Sequence, residues 1–132
     1  MLEYMLDTDI SIHILNERPE KLKQAFNRIA ERICISTITL AELHYGAEKS
    51  SRRADNLRAV EHFIARLDVR PLTAKAAAHY GQIRAELEKV GKPVGVHDML
   101  IGAHARSESL TLVTGNRREF DRITGLRVEN WL

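Results

Sequence analysis

Four segments of the sequence carry an acid just after a short apolar run or at the start of a helical pattern. Asp7-Thr8-Asp9 follows Tyr4-Met5-Leu6, and the block Ser36 to Glu42 follows Ile33-Cys34-Ile35. Asp98 opens a run rich in Ala and Ile, and the block Thr114 to Glu119 follows Leu110-Thr111-Leu112-Val113. Carboxylates gathered together repel one another unless a cation sits among them. Mg²⁺ and Mn²⁺ suit the role, because hard divalent ions prefer carboxylate and water oxygens. Asp7, Glu42, Asp98 and Glu119 supply four negative charges, which two such ions would balance. A site of this kind performs phosphoryl chemistry, in which the metal activates a water and clamps phosphate oxygens.

Each acid taken alone also fits a helix start. Asp7 or Asp9 is placed to cap a following helix, and Thr39-x-x-Glu42 and Asn116-x-x-Glu119 match capping boxes. Asp98 suits a helix macrodipole. Caps, however, do not require four elements to converge, and an acid in line with an apolar strand, as at Asp7, carries a burial penalty that a cap does not ask for. His13, His44, His62, His79, His97 and His104 are scattered without a close metal-ligand pair. His97 adjoins Asp98 and is a candidate for touching substrate, while His104 reads as a packing residue. No serine-hydrolase elbow, P-loop or GxGxxG fingerprint occurs. Lys49, Arg52 and Arg53 form one basic group, and Arg117 and Arg118, with Arg122 near, form another. On their own these are solvated surface. Beside an acidic metal site they read as the residues that hold the phosphates of a polyanion.

The elements that must position these residues alternate. Strands are expected at Tyr4–Leu6, Ile33–Ile35, around Val69, at Leu110–Val113 and, more weakly, near Leu126–Val128. Between them Leu22, Phe26, Ile29 and Ile33 recur at helical spacing, as do Leu57, Val60, Ile64 and Leu67. Leu72, Ala76, Tyr80, Ile83, Leu87 and Val90 keep one face apolar until Gly91 and Pro93 stop the helix. A further buried helix should run from about His97 to Ser109. Alternation of this kind predicts an α/β fold with a mostly parallel central sheet, whose ligands bind beyond the carboxyl ends of the strands. The 132 residues predict a single domain over 1–132. Aromatics are only 5% of the chain, so the core should be aliphatic. One cysteine, Cys34, excludes a disulfide framework and a Cys-rich zinc module. No apolar stretch is long enough for a membrane span, and the opening segment lacks the basic start of a signal peptide, so the expected location is the cytoplasm. A net charge of +2 permits a polyanionic partner without requiring one.

These motifs resemble the VapC-type toxins of the PIN-domain ribonuclease family. The likeness runs along the whole chain. It covers Met5-Leu6-Asp7-Thr8, the block Ser36 to Leu43 with Tyr45-Gly46-Ala47, Pro93-Val94-Gly95 leading to Asp98, Val113 to Asn116 with Arg118-Glu119-Phe120, and Val128-Glu129-Asn130-Trp131. The resemblance implies a three-layer α/β/α sandwich and a Mg²⁺- or Mn²⁺-dependent endoribonuclease. It places Asp7, Glu42 and Asp98 on three of the family's acidic positions. Where relatives often carry a fourth Asp this chain has Asn116, so Glu119 takes the fourth charge and Asn116 offers its amide oxygen to the metal or its water. Asp9 stands where many relatives have Asn, and it either enlarges the cluster or caps the first helix. The resemblance also implies a VapB-type antitoxin partner, a homodimer, and an RNA substrate that in similar relatives is the anticodon loop of initiator tRNA.

Two rival readings stand beside it. Asp7 to Ser11 also matches the opening Asp-x-Asp-x-Ser of haloacid-dehalogenase phosphatases, whose first Asp is a nucleophile, although Thr114-Gly115-Asn116 lacks the late acidic pair that family needs. A catalytically dead PIN-like binding module is the other, and Asn116 is its argument.

Overall fold

A computed structural model describes residues 1–132. In chain order the elements are β1 (Tyr4–Leu6), α1 (Thr8–Leu15), α2 (Glu20–Ile29), a 3-10 turn (Ala30–Arg32), β2 (Ile33–Ser36), α3 (Thr37–Glu48) and α4 (Arg53–Ile64). There follow β3 (Asp68–Arg70), α5 (Ala74–Lys89), α6 (Val96–Ser107), β4 (Thr111–Val113), α7 (Arg117–Phe120) and β5 (Val128–Glu129). The five strands form one sheet in the order β3-β2-β1-β4-β5, and every neighbouring pair is parallel.

Successive side chains on a strand point to opposite faces, and three-residue strands suffice to divide the core in two. Met5, Cys34 and Leu112 face α5 and α6, where they meet Ile83, Leu87 and Ile101. Leu6, Ile33, Ile35 and Val113 face the other way, onto Ile10 and Ile14 of α1, Leu22 and Phe26 of α2, Leu43 of α3 and Val60 and Phe63 of α4. Both faces of the sheet are thus covered by helices, as all-parallel sheets require, and the molecule is the expected α/β/α sandwich. Strand order reverses at β1, which lies between β2 and β4. The crevice between the carboxyl ends of β1 and β4 is the switch point where such sheets bind ligands.

Several sequence expectations shift in detail. Ile33 begins β2 rather than continuing α2, because Pro19 starts that helix early and the 3-10 turn ends it. Leu67 lies past the end of α4. Val90, expected on the apolar face of α5, is its C-cap and is 59% exposed. Gly91 follows at φ +67°, a left-handed conformation that suits glycine after a helix. Neither capping box forms. The N-cap of α3 is Ser36, whose Oγ accepts the Ile38 N–H at 3.1 Å, and Asn116 precedes α7 without a side-chain cap. No helix is long and apolar enough to cross a membrane. Cys34 is fully buried, and burial pushes its thiol up to about 12, so it packs as an inert hydrophobe.

His104 of α6 is fully buried at the sheet. A carboxylate oxygen accepts, so His104 Nε2–H donates to Glu108 at 2.8 Å. Nδ1 accepts from the Ser36 hydroxyl at 2.8 Å, and this chain of bonds holds the imidazole neutral. Burial keeps its pKa below the ordinary histidine range, despite the opposing pull of Glu108. The unfolded chain therefore binds this proton first. The stability His104 confers is complete above about pH 6.5 and is lost as pH falls below that value. Urea unfolding at pH 7.5 and pH 5.5 should show a larger acid-side loss in the parent chain than in His104→Gln. Equal losses would mean that His104 does not govern this limb.

Candidate active site

The acids meet at the switch point. Asp7 follows β1 directly and is the N-cap of α1. Its Oδ1 accepts the Ile10 N–H at 2.9 Å and its Oδ2 accepts the Thr114 hydroxyl at 2.5 Å. The Asp7 N–H continues the ladder to Val113 O at 3.0 Å. Only 3% of the residue is exposed, and burial raises its carboxyl to about 6. The bonds from Thr114 and Ile10 offset part of that rise, and the charges of Asp9 and Glu42 add to it. Asp7 is therefore both the cap of α1 and a member of the acid group. Asp9 is an exposed residue of the first turn of α1 and caps nothing.

Glu42 lies in the second turn of α3. Its Oε1 accepts from the Thr8 hydroxyl at 2.5 Å, and its Oε2 lies 3.2 Å from His97 Nδ1. Asp98, in the first turn of α6, is pushed up to about 7. Burial is the main cause, followed by a hydrogen bond shared with Glu119 and by the negative charges of Glu119, Asp7 and Glu42. No protein donor reaches the Asp98 or Glu119 carboxyl, whereas Asp7 and Glu42 are each held by donors at both oxygens. Asn116 is exposed, and its backbone N–H donates to Thr114 Oγ1 at 2.8 Å. Its amide makes no hydrogen bond to the acids.

The donor set is all oxygen, which fits a hard divalent cation. A cation beside Asp98 would relieve the repulsion from Glu119, Asp7 and Glu42 that helps to raise its carboxyl. No three acidic, histidine or cysteine side chains close tightly enough to wrap one ion by themselves. Mg²⁺ does not require such a closed set, because it characteristically retains water and uses one or two carboxylates together with substrate phosphates.

The basic residues divide into two kinds. Arg52 pairs with Asp55 at 2.9 Å, Arg53 with Glu48 at 2.5 Å and Arg117 with Asp121 at 3.1 Å. Lys49 and Arg118 are exposed, and neither has a carboxylate partner. The Lys49 ammonium lies 4.7 Å from the ring centre of Tyr45, itself 66% exposed and one turn beyond Glu42. Sequence reasoning gave no role to Thr8 or Thr114. Both are threonines whose partners lie in other elements, so no local spacing marks them. Beside Glu42 an apolar groove opens between α1, α3 and α4, lined by Ile12, Leu15, Leu43, Gly46, Ala47 and Val60.

Comparison with known proteins agrees with this architecture. The PIN domain family matches residues 4–126. The chain is 50% identical over 132 residues to Ribonuclease VapC2 of Haemophilus influenzae, covering all of both chains. It is 50% identical over 131 residues to the tRNA(fMet)-specific endonuclease VapC of Shigella flexneri, covering 99% of each. Its fold superimposes on a crystal structure of DNA-bound VapBC from Salmonella typhimurium with a TM-score of 0.97 and 51% identity, over the full length of both chains. On this likeness, which spans its full length, the chain belongs to the PIN domain family and, within it, to the VapC ribonucleases.

Proposed function

We propose that this protein is the toxin of a toxin-antitoxin pair and hydrolyses RNA phosphodiester bonds with Mg²⁺ or Mn²⁺. The observation that carries the reading is the all-oxygen acid site at the β1/β4 switch point, where Asp7, Glu42 and Glu119 crowd Asp98 with negative charge that a cation would balance. The site lacks the late acidic pair of a haloacid-dehalogenase phosphatase, and the chain's family is a different one.

Asp98 and Glu119 would hold the ion, with Asp7 beside them and with Glu42 and Asn116 toward its water. When bound, the ion supplies a polarised water and neutralises phosphate charge. Asp7 is fixed by Thr114 and the Ile10 N–H, so its charge faces the site without any need to reorient. Lys49 and Arg118, exposed and without carboxylate partners, would bind phosphates of the RNA. Arg52, Arg53 and Arg117 serve the same polyanion by exchanging their local carboxylates for phosphates, at the expense of weak surface pairs. The relative in Shigella flexneri supports initiator tRNA as the substrate. The VapBC structure supports a VapB-type antitoxin. An antitoxin segment would lie in the apolar groove between α1, α3 and α4, extending a basic side chain to the acids. Fork-like pairing of Arg with carboxylates suits that contact. A homodimer belongs to the same reading.

The test is incubation of the purified chain with initiator and elongator tRNA in Mg²⁺, in Mn²⁺ and in EDTA. Cleavage should require a divalent ion and favour initiator tRNA. An absence of cleavage of either tRNA, or of total RNA, in both metals would leave the dead binding module as the better description.

A further inference from the structure

Of the acids at the site, Glu42 has the longest reach from the backbone together with Glu119, and its side chain is 30% exposed. Left alone, such a side chain samples several rotamers, and fixing it is entropically unfavourable. The structure fixes it from two sides. Thr8, at the start of α1, donates to Oε1 at 2.5 Å. His97, at the start of α6, meets Oε2 at 3.2 Å across 55 positions of sequence. A carboxylate oxygen only accepts, so Nδ1 must carry the hydrogen, and Nε2 has no protein partner. The Glu42 carboxylate thereby joins three helices at their first or second turns.

We propose that His97 is a positioning residue. By donating Nδ1–H to Glu42 it holds that carboxylate toward Asp7 and Asp98, with Thr8 as the second anchor. The inference rests on the ribonuclease reading for its consequence in catalysis, but the contact itself can be judged by metal binding alone. His97 is suited to a role without a structural burden, since its side chain is 64% exposed and removing it opens no cavity. Outer partners that orient metal-site residues typically change metal affinity by 10- to 100-fold when removed. The exposed position of His97 puts this case at the lower end.

The experiment compares the parent chain with His97→Ala and His97→Asn. The Asn amide places a donor near the position of Nδ1, so it should restore the contact. Mn²⁺ binding without RNA is read by calorimetry, and tRNA cleavage is read as kcat and KM. His97→Ala should weaken Mn²⁺ binding about tenfold and lower kcat, with KM for RNA and the melting temperature essentially unchanged. His97→Asn should recover both Mn²⁺ binding and kcat. A raised KM with unchanged kcat would make His97 an RNA contact instead and overturn the proposal. So would parent-like Mn²⁺ binding in His97→Ala, or a loss that Asn does not repair. If the parent chain cuts no RNA, the ribonuclease reading falls, while the Mn²⁺ titrations still decide whether His97 positions Glu42.

Discussion

Asp7→Asn is expected to leave the chain folded, raise its melting temperature in EDTA and remove RNA cleavage. Burial lifts the Asp7 carboxyl from its ordinary value of 3.8 to about 6. A raised carboxyl favours the fold only below the unfolded value, and that benefit is lost as pH climbs through about 6. At pH 7.5 the parent chain therefore carries the full penalty of a buried charge, at most about 3 kcal/mol for a shift of this size. Asn removes the charge and remains an excellent N-cap, so it keeps the bond from the Ile10 N–H. A net gain of ~1–2 kcal/mol corresponds to several degrees in a domain of this size. The gain should shrink when melting is repeated near pH 4.5. Cleavage should fall at least ~100-fold, the equivalent of about 2.7 kcal/mol in the barrier. Asp98→Asn should lose cleavage in the same way. If Asp7 served only to cap α1, Asn would keep full cleavage, and that result would overturn its place in the site.

Thr114→Val is expected to destabilise the chain and to slow cleavage together. Thr114 is fully buried, and Val has nearly its shape. The substitution leaves Asp7 Oδ2 without its donor and the Asn116 N–H without its acceptor. Stranded polar groups cost about 1–3 kcal/mol each, so a fall in melting temperature of roughly 5–10 °C should follow. Asp7, deprived of the bond that most lowers its pKa, is pushed further up and is less often charged at neutral pH. Cleavage at pH 7 should drop about tenfold and recover in part at higher pH. In an Asp7→Asn background the same change should cost less, because contacting residues are not additive. An unchanged melting temperature with full cleavage would show that the Thr114–Asp7 bond contributes little.

What the sequence reveals here, and what it hides, follows from range. The strands are legible at Tyr4–Leu6 and Ile33–Ile35 because apolar residues run unbroken where both faces are covered. Asp7 stands out for the same reason, as a charge in line with such a run. The start of α3 is not legible. Ser36, Thr37 and Thr39 all look like caps, and only the sheet register, which pairs Ser36 with Arg70, settles which of them leaves the strand. The pairs that quiet Arg52 and Arg117 are local, at Asp55 and Asp121, and could be read from helical spacing. The donors that hold Asp7 and Glu42 could not. Thr114 reaches Asp7 across 107 positions, and Thr8 reaches Glu42 across 34. No periodicity records such meetings.

The position of β1 in the middle of the sheet bears on how the protein is made. The first strand synthesised is paired on one side by β2 and on the other by β4. A growing chain can cover one face of β1 with α1 to α4 early, but the other edge of that strand stays open until Thr111–Val113 leaves the ribosome. Pairing over so long a loop is slow to close. Until it does, Asp7 has no Thr114, Asp98 has no Glu119, and the crevice between β1 and β4 does not exist. Chains stalled part-way through translation would therefore carry Asp7 and Glu42 but no assembled acid site. On the proposed function, an early-made fragment would be harmless to the RNA around it, and an antitoxin would need to meet only the finished molecule.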